Sequence, residues 1–224
     1  RARDFLIVRD PSRRSFVGEA GGAADLEALV ARIAAAAAPY RSVMTIGASM
    51  GGAPAVHVGV AIGARRAISV SGRMPAEHRA ALLRAALTAK NRGTPVADAA
   101  TEIVCAFGAE NARDGEGARS IQEAFPTAVL LPVADVSQHN VLHAAFQQGV
   151  LQPLWSTLLD GNPRRPDCAE PADGHRAPGA ATVWRFTRDT SPPDWDLATL
   201  SPPAPRSQRL PALGRLLGRV LHRR

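Results

Sequence analysis

Short apolar runs alternate with longer amphipathic stretches along the first 160 residues of the chain. Apolar runs of strand length predict five strands, over 5–8, 42–46, 67–70, 103–107 and 128–131. Apolar residues at helical spacing predict five helices, over 24–38, 54–62, 75–89, 115–124 and 141–159. Gly149 and Pro153 predict a break within the last of these helices. This alternation predicts an α/β fold, with a mostly parallel sheet flanked by helices.

The composition of the chain changes near residue 160. Residues 161–224 hold ten of the 18 prolines and carry a charge balance of +5, whereas residues 1–160 carry a balance of +2. We therefore expect a globular domain over residues 1–160. A Pro/Arg-rich extension over residues 161–224 is expected to be poorly ordered or loosely docked.

The basic charge of the chain lies mostly in this extension, where the stretch from Ser201 onward has six arginines and no acidic residue. No aromatic residues are interleaved with them as in a base-stacking surface, so no nucleic-acid partner is expected. Four leucines lie at helical spacing among these arginines: Leu210, Leu213, Leu217 and Leu221. They indicate either a weak contact with an anionic membrane surface or a protein, or a tail helix docked on the domain. Gly214 and Gly218 oppose a stable helix there.

The two cysteines, Cys105 and Cys168, are too few for a disulfide framework and lack the spacing of metal ligands. We expect no metal and no cofactor. No apolar run approaches the roughly 20 residues that span a bilayer. Free cysteines and the lack of a signal sequence predict a cytoplasmic location.

The segment Gly47-Ala48-Ser49-Met50-Gly51 is a G-x-S-x-G pentapeptide between a predicted strand and a predicted helix. This context is typical of a nucleophile elbow, a tight turn that lifts a serine hydroxyl above the sheet. Small residues two before and two after the serine are expected to be needed, because a Cβ atom there would collide with the strand or the helix. A plain glycine-rich turn between strand and helix is the alternative.

An activated serine needs a base, and the base needs an acid that orients it. In hydrolases with such an elbow the order along the chain is serine, acid, histidine. His139 follows the fifth predicted strand and is the candidate base. Asp114 follows the fourth strand and is the candidate acid, with Glu110 and then Asp135 as alternatives.

These candidates also have structural interpretations. Asp114 is equally suited to cap the helix predicted from residue 115. A lone loop histidine such as His139 is usually a solvated side chain. The five other histidines lie on predicted helices or in the extension: His57, His78, His143, His175 and His222.

At residues 5–160 the chain resembles the α/β-hydrolase superfamily. The resemblance rests on Leu6-Ile7-Val8-Arg9-Asp10, Ile46 to Gly52, Cys105 to Asp114, and Gln138-His139-Asn140. It is strongest to small bacterial members encoded with polysaccharide or surface-glycan functions. It implies ester hydrolysis or acyl transfer on a small-molecule or glycan ester. Ser49 would attack the carbonyl, His139 would carry the proton, Asp114 would hold the imidazole, and the Met50 N–H would stabilise the oxyanion.

Two features depart from the family pattern. Asn111 stands where many members have the acid, which is why Asp114 is the candidate. In the family, a strand and an oxyanion loop precede the segment that Leu6 to Arg9 resembles, so we expect an N-terminally truncated hydrolase. Losing one oxyanion donor typically lowers turnover about 10²–10³-fold. A non-catalytic scaffold or partner-binding module is therefore the second hypothesis.

Substrate specificity in this fold depends on loop shape, and residues 71–100 are the nearest candidate for a lid. This stretch contains Arg73, His78, Arg79 and Arg84, which fits an anionic substrate. A solvated helix face would explain the same residues.

Overall fold

The computed structural model describes residues 4–10, 16, 25–74, 101–172 and 181–187, all within one compact unit, Arg1–Asp189. Its helices are α1 (Leu26–Ala37), α2 (Gly52–Ala61), α3 (Ala112–Ala124), α4 (Val141–Gln147) and α5 (Leu151–Leu159). Its strands are β1 (Met44–Ala48), β2 (Arg66–Val70), β3 (Glu102–Gly108), β4 (Val129–Val133), β5 (Ala169–Pro171) and β6 (Trp184–Phe186).

The six strands form one sheet in the order β1-β2-β3-β4-β6-β5. All neighbouring strands are parallel except β5 and β6. The structure thus confirms a mostly parallel sheet with flanking helices, although the helix predicted over 75–89 lies outside the described residues. The strands predicted over 42–46, 67–70, 103–107 and 128–131 are present, with shifts of one or two residues at their ends.

Two apolar clusters cover the opposite faces of the sheet. One contains Val56 of α2 and Ile121 of α3. The other contains Val141 of α4 and Leu154 of α5. Because both faces are covered, all five residues of β2 and of β4 are buried, as expected for parallel strands. At the edge of the sheet, β1 differs, since Ile46 is 43% exposed.

The prediction of a strand over residues 5–8 is wrong. Residues 4–10 form no helix or strand, and the side chains of Phe5, Leu6 and Ile7 are 64–83% exposed. The segment contacts the domain through a hydrogen bond of 3.0 Å from Tyr40 Oη to Asp4. A short apolar run becomes a strand only where a neighbouring strand pairs with it, and periodicity does not report pairing.

The sheet continues past the predicted boundary at residue 160. Strand β6 joins the edge of β4 through the register pair Val133 and Trp184, and β5 pairs with β6. Part of the stretch assigned to a loosely docked extension therefore belongs to the sheet. These strands have three residues each, too short to show a hydrophobic period.

The helices of the described ranges are short, from 7 to 13 residues. The break predicted in the last helix is present: Gly149 takes a left-handed φ of +72° between α4 and α5. Its preference for such a conformation explains why the helix stops there. Across the described ranges we find no helix with the length and apolar character needed to span a membrane.

Arg66, the first residue of β2, is buried and binds the end of α5. Its Nη1 donates to the carbonyls of Thr157 and Leu158 at 3.1 and 2.8 Å, and its Nη2 donates to Gly161 O at 2.9 Å. Its Nε donates to the Glu102 carboxylate at 2.7 Å. The last carbonyls of a helix lack partners within the helix, so this guanidinium satisfies two of them and offsets the negative end of the helix dipole.

We expect Arg66→Met to lower the free energy of unfolding by about 2–4 kcal/mol, because it leaves the carbonyls at the end of α5 without their donor, whereas Glu102, whose side chain is 37% exposed, can be hydrated. Arg65→Met is the matched control, since Arg65 is exposed and binds Leu159 O and Asp160 at the same helix end. An exposed contact of this kind contributes about 1 kcal/mol or less. Chemical denaturation of both variants measures the difference, and equal losses would contradict the assigned role of Arg66.

His57 lies on α2 and is 3% exposed. Burial lowers the pKa of its imidazole from 6.5 to about 4, because the charged form loses its hydration. As the pH falls below 6.5, the unfolded chain binds a proton at this position that the folded chain does not bind. Stability is therefore lost as the pH falls from 6.5 towards 4.

We expect this loss to reach about 2–3 kcal/mol at pH 4.5. His57→Gln should remove that part of the pH dependence, and His143→Gln, at an exposed position of α4, should leave it in place. Denaturant unfolding at pH 7 and pH 4.5 measures it. A His57→Gln variant with the same pH dependence as the parent chain would contradict the role of His57.

Candidate active site

Strand β1 ends at Ala48, and the next residue, Ser49, begins a 3₁₀ turn over Ser49–Gly51 that leads into α2. The Ser49 backbone has a φ of +52°. This left-handed conformation is unfavourable for a residue with a side chain, and such strain occurs mostly at functional sites. The structure therefore has the sharp strand-to-helix turn that the pentapeptide predicts.

The two outer glycines of the pentapeptide have different surroundings. A Cβ atom on Gly47 would lie 2.0 Å from Gly51 O and 2.9 Å from the Ala55 Cβ. A Cβ atom on Gly51 would meet nothing within 4 Å. The prediction that a Cβ atom would collide with the strand or the helix is confirmed at Gly47. It is wrong at Gly51, because Gly51 has a helical backbone with φ of −83° and open space beside it.

Asp114 lies in the first turn of α3 and is fully buried. The helix begins earlier than predicted, so its N-cap residue is Asn111, whose Oδ1 accepts from the Asp114 N–H at 3.1 Å. The interpretation of Asp114 as the cap is therefore wrong. Its carboxylate is left available for another contact, near the positive end of α3.

His139 lies in the loop between β4 and α4 and joins the two other candidates. Its Nδ1 is 2.8 and 3.0 Å from the carboxylate oxygens of Asp114. Its Nε2 is 2.8 Å from Ser49 Oγ. An ionised carboxylate only accepts hydrogen bonds, so Nδ1 donates to Asp114 and Nε2 of the neutral ring accepts from the Ser49 hydroxyl.

The loop that carries His139 is held at both ends. At its start, the Ala134 N–H donates to Trp184 O of β6 at 2.8 Å. The Gln148 side chain, just after α4, donates to Asp135 O at 2.9 Å. At its end, Asn140 caps α4 by accepting from the His143 N–H at 3.1 Å. These contacts fix the position of the imidazole.

The alternative acids do not contact His139. The exposed Glu110 donates its backbone N–H to Val136 O at 3.2 Å. The Asp135 carboxylate accepts from Arg185 Nε at 2.9 Å on the surface. Of the three carboxylates considered from the sequence, the structure brings only Asp114 to His139.

Met50, the candidate oxyanion residue, is the second residue of the 3₁₀ turn and is 47% exposed. The first N–H groups of a helix have no acceptor within the helix and point along its positive end. This position allows the Met50 N–H to approach an oxygen bound next to Ser49.

Two asparagines, Asn111 and Asn140, cap the helices next to Asp114 and His139 and are not among the sequence candidates. Asparagine three residues before a helical N–H is a known capping signal, and it would have moved the predicted start of α3.

The other described histidines, His57 and His143, take no part in the arrangement, while His78, His175 and His222 lie outside the described residues. Within the described ranges, no three His, Cys, Asp or Glu side chains group as metal ligands would.

Comparison of the chain with protein-family models, curated proteins and solved structures found no match. The interpretation of the site therefore depends on its own geometry.

We expect Gly47→Ala to destabilise the fold by about 2 kcal/mol or more, because the new Cβ atom overlaps backbone that cannot move without opening the turn. Gly51→Ala should change stability by less than about 1 kcal/mol, since its backbone is helical and the space is open. Denaturant unfolding compares these two matched substitutions. Equal effects would mean that the turn is not packed as described.

Proposed function

We propose that this chain is a serine hydrolase that acts on an ester or acyl substrate through Ser49, His139 and Asp114. The observation that carries the proposal is the continuous hydrogen-bonded series from Ser49 Oγ through the His139 ring to the buried Asp114 carboxylate. A serine hydroxyl becomes nucleophilic when an adjacent base removes its proton and a third group orients that base.

In the first half of the proposed reaction, Ser49 Oγ attacks the carbonyl carbon of the ester while His139 Nε2 takes the hydroxyl proton. Asp114 stabilises the imidazolium that forms and keeps its Nδ1 hydrogen bond. The Met50 N–H and the positive end of the turn stabilise the developing oxyanion. When the tetrahedral species collapses, the C–O bond to the alcohol breaks and His139 returns the proton to the leaving alkoxide. An acyl group then remains on Ser49.

In the second half, a water molecule attacks the acyl carbonyl while His139 Nε2 takes one of its protons. Collapse breaks the bond to Ser49 Oγ, which regains the proton from His139, and releases the carboxylic acid. Each group ends in its starting state. The same base serves both halves because its exposed edge, 46% of the side chain, is open to water and to the alcohol.

The substrate is proposed to be a small-molecule or glycan ester, and the proposed reaction uses no metal and no cofactor. A cytoplasmic location and an α/β-hydrolase relationship belong to the same proposal. Support for that relationship comes from the elbow and from the order Ser49, Asp114, His139 after β1, β3 and β4 of one mostly parallel sheet.

A fluorophosphonate probe tests the proposal because it reacts covalently with activated serines. We expect the parent chain to be labelled and Ser49→Ala to be unlabelled. Asp114→Asn should slow labelling by about 10³-fold or more, because the amide no longer orients and stabilises the imidazole as the carboxylate does. Asp135→Asn is the matched control at an exposed carboxylate and should label within about threefold of the parent.

Labelling that persists in Ser49→Ala would place the reactive group elsewhere. No labelling of a folded parent chain would favour the second hypothesis, a scaffold that kept the elbow for packing.

A further inference from the structure

Three buried side-chain atoms in the described part of the chain have no hydrogen-bond partner, and all three lie within residues 69–73. They are Ser69 Oγ, Ser71 Oγ and Arg73 Nε. A buried polar atom without a partner costs about 1–3 kcal/mol, so folded proteins contain few of them. A ligand bound at residues 71–73 would supply the partner that Ser71 Oγ and Arg73 Nε lack within the protein.

This stretch lies beside the proposed nucleophile. Ser71 follows β2 as Ser49 follows β1, and the residues before them, Ala48 and Val70, are register partners. Neighbouring strands are about 4.8 Å apart. Both serines have a left-handed φ, +52° and +49°, and Ser71 is 3% exposed. Ligands of open α/β sheets bind at the carboxyl ends of the strands, which is where both turns lie.

Arg73 lies between this turn and the helix that carries the acid. A Cβ atom on Gly117 of α3 would be 2.8 Å from Arg73 Cγ and 2.6 Å from Gly72 O. Asp114 is one turn earlier on the same helix. Arg73 is half-buried, and it forms no ion pair with any acidic side chain of the described ranges. The Arg73 side chain thus leaves the turn against the helix that carries Asp114, and a guanidinium without an anionic partner is suited to take one from a ligand.

The third unpartnered atom, Ser69 Oγ, is not placed to bind a ligand. A Cβ atom on Gly52 or Gly72 would lie 2.5 or 2.1 Å from Ser69 Oγ. The close approach of these two glycines therefore encloses the Ser69 hydroxyl within the protein.

We propose that Ser71 and Arg73 form a subsite for a carboxylate on the substrate, so that the hydrolase acts on esters that carry a negative charge near the scissile carbonyl. This inference rests on the proposed function. A guanidinium offers Nε and Nη as two parallel donors to one carboxylate, and the Ser71 hydroxyl adds a third. The carboxylate would accept hydrogen bonds from Ser71 Oγ and Arg73 Nε, the two unpartnered atoms outside the enclosed Ser69.

The test compares matched charged and neutral esters. One pair is 4-nitrophenyl hemiglutarate and 4-nitrophenyl pentanoate, with the charge on the acyl side. The other is 4-carboxyphenyl acetate and phenyl acetate, with the charge on the leaving group. We expect the ratio of kcat/KM, charged over neutral, to fall about 10- to 100-fold in Arg73→Gln for at least one pair, mainly through KM.

Arg73→Lys keeps the charge without the bidentate geometry and should retain part of this ratio, and Ser71→Ala should lower it less than Arg73→Gln. Arg119→Gln, at an exposed arginine of α3, is the matched control and should leave it unchanged. A ratio that is the same in the parent chain and in Arg73→Gln for both pairs would overturn the subsite.

Binding of glutarate, measured by calorimetry on the full chain, separates this proposal from the proposed function. Glutarate that binds the parent chain and Ser49→Ala but not Arg73→Gln would support the subsite even if none of the four esters is hydrolysed. Hydrolysis of the esters of either pair without glutarate binding, and with the same ratio in the parent chain and Arg73→Gln, would leave the serine chemistry standing and overturn the subsite.

Discussion

The site depends on the parallel alignment of β1 to β4, because its three polar residues each follow the carboxyl end of a different strand. Ser49 follows β1, Asp114 lies in the helix after β3, and His139 lies in the loop after β4. Parallel strands bring these ends to one edge of the sheet. The hydrogen bonds of 2.8 Å from His139 to the other two residues, 90 and 25 positions away in the sequence, are a consequence of that register.

The site is supported by contacts that no catalytic argument would single out. Two asparagine caps fix where α3 and α4 begin, and hence where Asp114 and His139 lie relative to them. Gly47 lets the turn close on the backbone of Gly51. The strain at Ser49 is tolerated because α2, which continues from the turn, packs on both β1 and β2.

The sequence predicts the central strands and most helices, because buried parallel strands are continuous apolar runs and glycine or proline ends the helices. The elbow motif and the order of strand ends also point to Ser49 and His139, but they leave three carboxylates open, and only the tertiary contact with His139 distinguishes Asp114 from Glu110 and Asp135. It fails where pairing decides the structure: residues 5–8 are apolar and exposed, whereas β5 and β6 are short, partly charged and paired. Gly51 shows a further limit, since a motif does not reveal which of its glycines lacks space.

The contact between β6 and the loop that carries His139 links the site to the stretch beyond residue 160. Trp184 O accepts from Ala134 at the first residue of that loop, so a strand of three residues restrains the segment that carries the imidazole. Releasing a loop residue from such restraint restores about 1–2 kcal/mol of backbone entropy. A shortened chain ending at the compositional break near residue 160 would keep Ser49, Asp114 and His139 and lose this restraint. The position of the imidazole is thus encoded partly in a proline- and arginine-rich stretch that contains none of the three residues of the site.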